Sequence, residues 1–199
     1  MTKGAVDVSH LSPYSVGTQA PLYWGMIGLL AIESMVLSCL VATYFFMRIS
    51  QPEWPPPGIK EPDLLLPTIA TVILLASSFP VHRGDKGIER GDRQTLWRGM
   101  TTGIVLALIF LAIKSYEYSS LEYRWNSHAY GSIVWAISGF HALHVVALVL
   151  KTIVVASLGW LGYFNKQRRL GVMVNGIYWH FVVIVWIPLY LVLYWSPRL

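Results

Sequence analysis

Apolar residues in this chain come in long runs, without the alternation of a strand or the narrow stripe of a water-facing helix. Five runs approach or exceed the roughly 20 residues that a helix needs to cross the hydrocarbon of a bilayer. They cover about 22–47, 64–81, 96–116, 130–158 and 172–195. In lipid, irregular backbone and open sheet edges leave N–H and C=O groups without partners, so these runs are predicted to be α-helices. The expected fold is an all-α membrane protein, with a polar tail over 1–21 and one domain of five transmembrane helices over 22–199. The tail lacks the basic start and apolar run of a signal peptide, and the first span is expected to be retained.

Composition supports this reading. Charged residues make up 13% of the 199 positions, and hydrophobic ones 55%. Soluble domains carry about 25% charged residues. One cysteine, Cys39, allows no internal disulfide and no multi-thiolate metal site. The net charge of +5 is explained better by basic loops on one side of a membrane than by nucleic acid. Nine Lys and Arg residues fall on the side of the N-terminus and four on the other. That bias predicts a cytoplasmic N-terminus and, with five spans, a C-terminus on the outer, periplasmic side.

The informative residues are the polar ones inside the runs. Glu33 lies about eleven residues into the first span, roughly 16 Å deep at 1.5 Å per residue. A charge there is costly, so Glu33 should be paired or protonated, either as a proton-handling acid or as a structural one. Its neighbours one turn away are apolar, so its partner must come from elsewhere. His141 and His144 share a face of the fourth span, and His180 sits about eight residues into the fifth. Such residues act as interhelical hydrogen bonders. Two histidines at equal depth on adjacent helices, here His144 and His180, could also hold a b-type haem. Lys151 is expected to snorkel to the interface, and Lys114 to form an exposed pair with Glu117. The stretch from His82 to Arg98 reads as a solvated turn. No P-loop, HExxH or GxSxG motif is present.

These features, in this order, resemble subunit III of haem–copper cytochrome c oxidases, from about Leu22 to Trp195. The first span looks like the family helix with a single buried Glu, here Glu33. WPPPGI at Trp54–Ile59 is similar to the family's Trp-Pro-Pro loop, and ILLASS at Ile73–Ser78 to the helix after it. Further matches are GDR at Gly91–Arg93, EY at Glu117–Tyr118, YGS at Tyr130–Ser132, GFHALH at Gly139–His144 and YWHFVVIVWIPLY at Tyr178–Tyr190. The chain departs from the pattern at Ala142, where the family commonly has Gly, at Val183, where it usually has Asp, and at Ala70, where it has Asn. The five spans resemble the short form known in the family, which lacks the two N-terminal helices of the seven-helix form.

The resemblance implies a non-catalytic subunit III of a proton-pumping oxidase in the aerobic respiratory chain. Such a subunit stabilises subunit I, supports proton uptake and holds phospholipid. It implies no catalytic residue, no metal and no redox centre in this chain, with haem and copper in subunit I. Glu33 becomes the buried acid, with His141 or His144 as its partner, and His180 and Trp179 belong to the closing-helix motif. Trp54, Trp179 and Arg93 are the candidate contacts to lipid or to other subunits. A bacterial plasma (inner) membrane is the expected location, ahead of the mitochondrial inner membrane. The competing readings are an accessory subunit of nitric oxide reductase or quinol oxidase, and a haem b membrane anchor.

Overall fold

A computed structural model of the chain describes residues 17–60 and 62–198, so most of the expected polar tail lies outside the described residues. All regular structure among the described residues is helical. Helix α1 spans Pro21–Ile49, α2 Leu65–Arg90, α3 Arg93–Ser120, α4 Ala129–Trp160 and α5 Leu170–Tyr190. Helix α5 continues into a π-helical turn, Leu191–Trp195, and a 3-10 turn, Ser196–Arg198. All five are long and apolar enough to cross a membrane.

The helices run past the apolar stretches that announce them, most of all between α2 and α3. The stretch from His82 to Arg98 is not a solvated turn, because only Gly91 and Asp92 separate two helices there. Local chemistry explains the sharp corner. Gly91 adopts φ 87°, a left-handed conformation that glycine takes without penalty. The Asp92 amide then bonds back to Gly87 O at 2.9 Å and the Gly91 amide to Ile88 O at 3.0 Å, closing α2. The Asp92 carboxylate accepts from the amides of Gln94 and Thr95, capping α3.

Small residues let α2 and α3 approach closely. A Cβ on Gly99 would stand 2.4 Å from Pro80 O and 2.9 Å from Gly84 Cα. One on Gly103 would meet the Val81 side chain at 2.5 Å. Without water to expel between helices, such close van der Waals contact is a main source of association in lipid.

Helix α5 lies between α2 and α4, and polar groups tie it to both. Trp179 Nε1 donates to Ser77 Oγ at 3.1 Å, and Trp186 Nε1 donates to Thr71 Oγ1 at 2.9 Å. The hydroxyls of Tyr190 and Thr68 meet at 2.6 Å. The three pairs step along α5 and α2 in opposite directions, as antiparallel helices require. On the other flank, Thr152 of α4 donates to Asn175 Oδ1 at 3.1 Å. Helix α1 packs on α4 and α5 and is the most exposed span, burying only Leu37 and Tyr44.

Lys114 is not the exposed interfacial partner expected of it; it is 1% exposed. Past Pro188, which lacks an N–H, α5 widens into the π-helical turn that carries Tyr194. Tyr194 reaches Lys114 and also donates to Glu117, while Lys114 Nζ lies 2.8 Å from Glu117 Oε2. The ammonium also sits 5.2 Å from the Trp186 ring centroid. The pair is enclosed because a second helix covers it.

Two outcomes are expected. Gly99→Ala forces backbone apart, because the obstructing atom is a carbonyl oxygen, and should cost about 1–3 kcal/mol, read as a lower thermal midpoint in detergent. The caps at Asp92 hold its carboxyl below the usual carboxylate range, chiefly through the Thr95 hydroxyl and amide. A depressed folded value stabilises above the unfolded carboxylate range and fades as pH falls through the folded one. Asp92→Ala should therefore lower the thermal midpoint at neutral pH, and its gap from wild type should close in acid. A gap that is constant with pH would refute the charged cap.

Candidate functional site

Glu33 has its partners on two other helices. Its Oε2 stands 3.5 Å from His144 Nε2 of α4, with the two side chains 16% and 12% exposed. Its Oε1 accepts from the Tyr178 hydroxyl of α5 at 3.5 Å. Both distances are at the outer limit for hydrogen bonds, and Oε2 is buried with no closer polar partner among the described residues. The apolar helix face around Glu33 had required that the partner come from elsewhere, and α4 and α5 supply it.

His144 has a defined tautomer. Its Nδ1 lies 2.7 Å from Phe140 O, one turn back. A carbonyl can only accept, so Nδ1 carries the hydrogen. In the neutral ring, Nε2 is then bare and faces the carboxyl. One proton can bridge the two groups, held by the acid or by the imidazole.

Lys151 completes the cluster. It does not snorkel to the interface; its Nζ is buried without a hydrogen bond and lies 4.0 Å from the Tyr178 ring centroid. The aromatic face takes the place of the headgroup layer as the ammonium's surroundings. Glu33 acts on Lys151 electrostatically as well. A carboxyl, an imidazole, a phenol and an amine thus share one niche among α1, α4 and α5. Such a set can hold and exchange protons.

The other candidate residues lie apart from this niche. His141 is buried, and its Nε2–H donates to Val182 O of α5 at 3.1 Å. It packs against Trp186 at 4.5 Å between centroids and takes no part in binding Glu33. His180 rests against His82 of α2 at 5.9 Å between ring centroids. His144 and His180 therefore turn to different helices, the first to α1 and the second to α2. That is not the facing arrangement axial haem ligation needs. No three His, Cys, Asp or Glu side chains among the described residues form a group suited to a metal ion.

Trp54 is half-buried between Tyr44 and Tyr130, with centroids 5.5 and 5.1 Å away, and ties the α1–α2 loop to α1 and α4. Trp179 is not available to lipid or to another subunit, because it is fully buried against Ser77 and Gly103. Arg93 is exposed, with its guanidinium over Gly162 in the α4–α5 loop. Sequence reasoning placed Lys151 at the interface rather than beside Glu33 and gave Tyr178 no role of its own. A signal for Lys151 existed in the seven-residue step from His144, which places the two on one face of α4.

Comparison with known proteins agrees with this architecture. Residues 6–197 match the family described as Cytochrome c oxidase subunit III. The cytochrome c oxidase subunit 3 of Synechocystis sp. is 35% identical, over 86% of this chain and 74% of that protein. That of Thermostichus vulcanus is 34% identical over 87% of each. A probable cytochrome c oxidase subunit 3 of Mycobacterium bovis is 35% identical over 85% of each. These cyanobacterial and mycobacterial relatives support a bacterial membrane as the chain's setting. The five-helix chain belongs to the cytochrome c oxidase subunit III family, as a non-catalytic, membrane-embedded subunit of the oxidase complex.

Proposed function

We propose that the chain stabilises subunit I of a proton-pumping haem–copper oxidase, supports its proton uptake and holds phospholipid. The observation that carries the proton role is the placement of Glu33, with one acid oxygen facing the bare nitrogen of His144 and the other the Tyr178 hydroxyl. A group used only to pin helices would be served by shorter bonds, whereas both of these are 3.5 Å long. The niche suits a carboxyl that gains and loses a proton while the helices stay in place. Haem and copper belong to subunit I in this reading.

The orientation is a cytoplasmic N-terminus in the bacterial plasma membrane. Its support is the basic end of the bundle, where Arg83, Lys86, Arg90, Arg93, Arg98, Lys166, Arg168 and Arg169 gather. At that end Arg93 is a candidate contact to lipid or subunit, and at the other end Trp54 is one.

Glu33→Gln removes the exchangeable proton and keeps the shape. The complex should assemble and keep its haem spectrum, while proton uptake slows or catalytic lifetime shortens. Unchanged turnover, proton stoichiometry and lifetime would remove the functional role of Glu33. The subunit assignment has its own check. A gentle detergent pull-down of the tagged chain should bring down a large haem- and copper-bearing subunit, and the redox spectrum should leave with that subunit when it is stripped away. Haem retained by the isolated chain would contradict it.

A further inference from the structure

Helix α2 is 26 residues long, about 39 Å at 1.5 Å per residue. The hydrocarbon core of a bilayer is about 30 Å thick. About 9 Å of α2, a little under two turns, is therefore left to project beyond the core. One face of the helix changes character at that point. Ile69, Val72 and Phe79 stand exposed on it at helical spacing, 45%, 59% and 66% accessible. The same stripe then continues as Arg83, Lys86 and Arg90, at steps of four, three and four residues.

These cations line an open cavity of about 420 Å³, together with His82, Gly87, Asp92 and Thr95. The one acid in the cavity lining, Asp92, is already engaged. Both oxygens of Asp92 serve the start of α3. Glu89, next to the cavity, is held by Arg169 at 2.6 Å as well as by Lys86 at 3.1 Å. The Arg83 guanidinium lies over the Phe79 ring, 5.4 Å from its centroid, where the apolar stripe meets the basic one. The stem of Lys166 lies over Gly91 and adds a further cation at the same end. An excess of Lys and Arg on one side of the membrane accounts for basic residues at this end. It does not account for their continuing an exposed apolar stripe of α2.

We propose that this end of α2 is a binding site for one anionic phospholipid, whose phosphodiester enters the cavity between Arg83, Lys86 and Arg90. Its acyl chains lie along Phe79, Val72 and Ile69. The proposal rests on the lipid-holding role above and gives it a place and a headgroup charge. A soluble anion would use the cations and leave the apolar stripe unused. A zwitterionic lipid would bring its own cation into the basic pocket.

The test uses the purified, delipidated oxidase complex carrying this chain, titrated with phosphatidylglycerol or phosphatidylcholine, with bound lipids counted by native mass spectrometry. Each basic residue at such a site contributes about fivefold in affinity, so removing two should weaken one phosphatidylglycerol site roughly 25-fold. R83Q/R90Q should show that loss with phosphatidylcholine binding unchanged, and R83K/R90K should retain most of the preference. The thermal midpoint in phosphatidylcholine should be the same for all three proteins, which separates lost binding from lost folding. Equal phosphatidylglycerol binding by R83Q/R90Q would overturn the proposal. Displacement of the lipid by equimolar inorganic phosphate would overturn it too, making this a free-anion site. A complex that fails to form would instead point to failure of the subunit reading, since these exposed side chains hold no helix in place.

Discussion

The constraint on which this structure depends is that a polar group inside a bilayer must find its partner on another helix. Helix α5 meets most of that demand. Its Trp179, Trp186 and Tyr190 bond to Ser77, Thr71 and Thr68 of α2, and its Asn175 and the Val182 carbonyl bond to Thr152 and His141 of α4. Each such bond is worth only about 0.6 kcal/mol on average in a membrane. Their value here is geometric, because five of them fix the register of α5 against two neighbours at once. Apolar contact among lipid-like surfaces could not select that register alone.

The same geometry separates a rigid part of the bundle from a less constrained one. Helices α2 and α3 meet backbone to backbone at Gly84 and Gly99, and α5 is tied to α2 by three side-chain pairs. Helix α1 contributes Glu33 across to α4 and α5 but buries little of its own surface. Its contacts with the rest include the niche that holds its charge, the aromatic stack of Tyr44, Trp54 and Tyr130, and the bond from Arg48 to Ser196.

The fold was largely legible in the sequence because the bilayer imposes a length on every span, and five apolar runs met it. The helix ends were less so. Hydropathy stops where charge begins, at about Val81, yet the backbone of α2 stays helical to Arg90. Its true terminus was written in Gly91 and Asp92, a local signal that a hydropathy window averages away. The burial of Lys114 was hidden for a related reason. Its cover comes from Tyr194, eighty residues on, presented by a turn whose widening no pattern announces. Trp179 shows the limit of motif reading, because an aromatic residue expected at the boundary of the protein lies at its centre.

The candidate site was half legible. An isolated carboxylate at mid-membrane depth is conspicuous, and it points to Glu33 without any structure. Which histidine faces it is not conspicuous, because His141 and His144 are three residues apart on one helix. The structure separates them by what each nitrogen touches. His141 spends a nitrogen on the α5 backbone, so it serves packing. His144 uses Nδ1 on its own helix, which leaves Nε2 toward the acid. A rotation of well under half a turn distinguishes the two positions, and that rotation is set by the bonds of α5 rather than by anything in the local sequence. The arrangement around Glu33 is in this sense a consequence of hydroxyls and indoles several turns away.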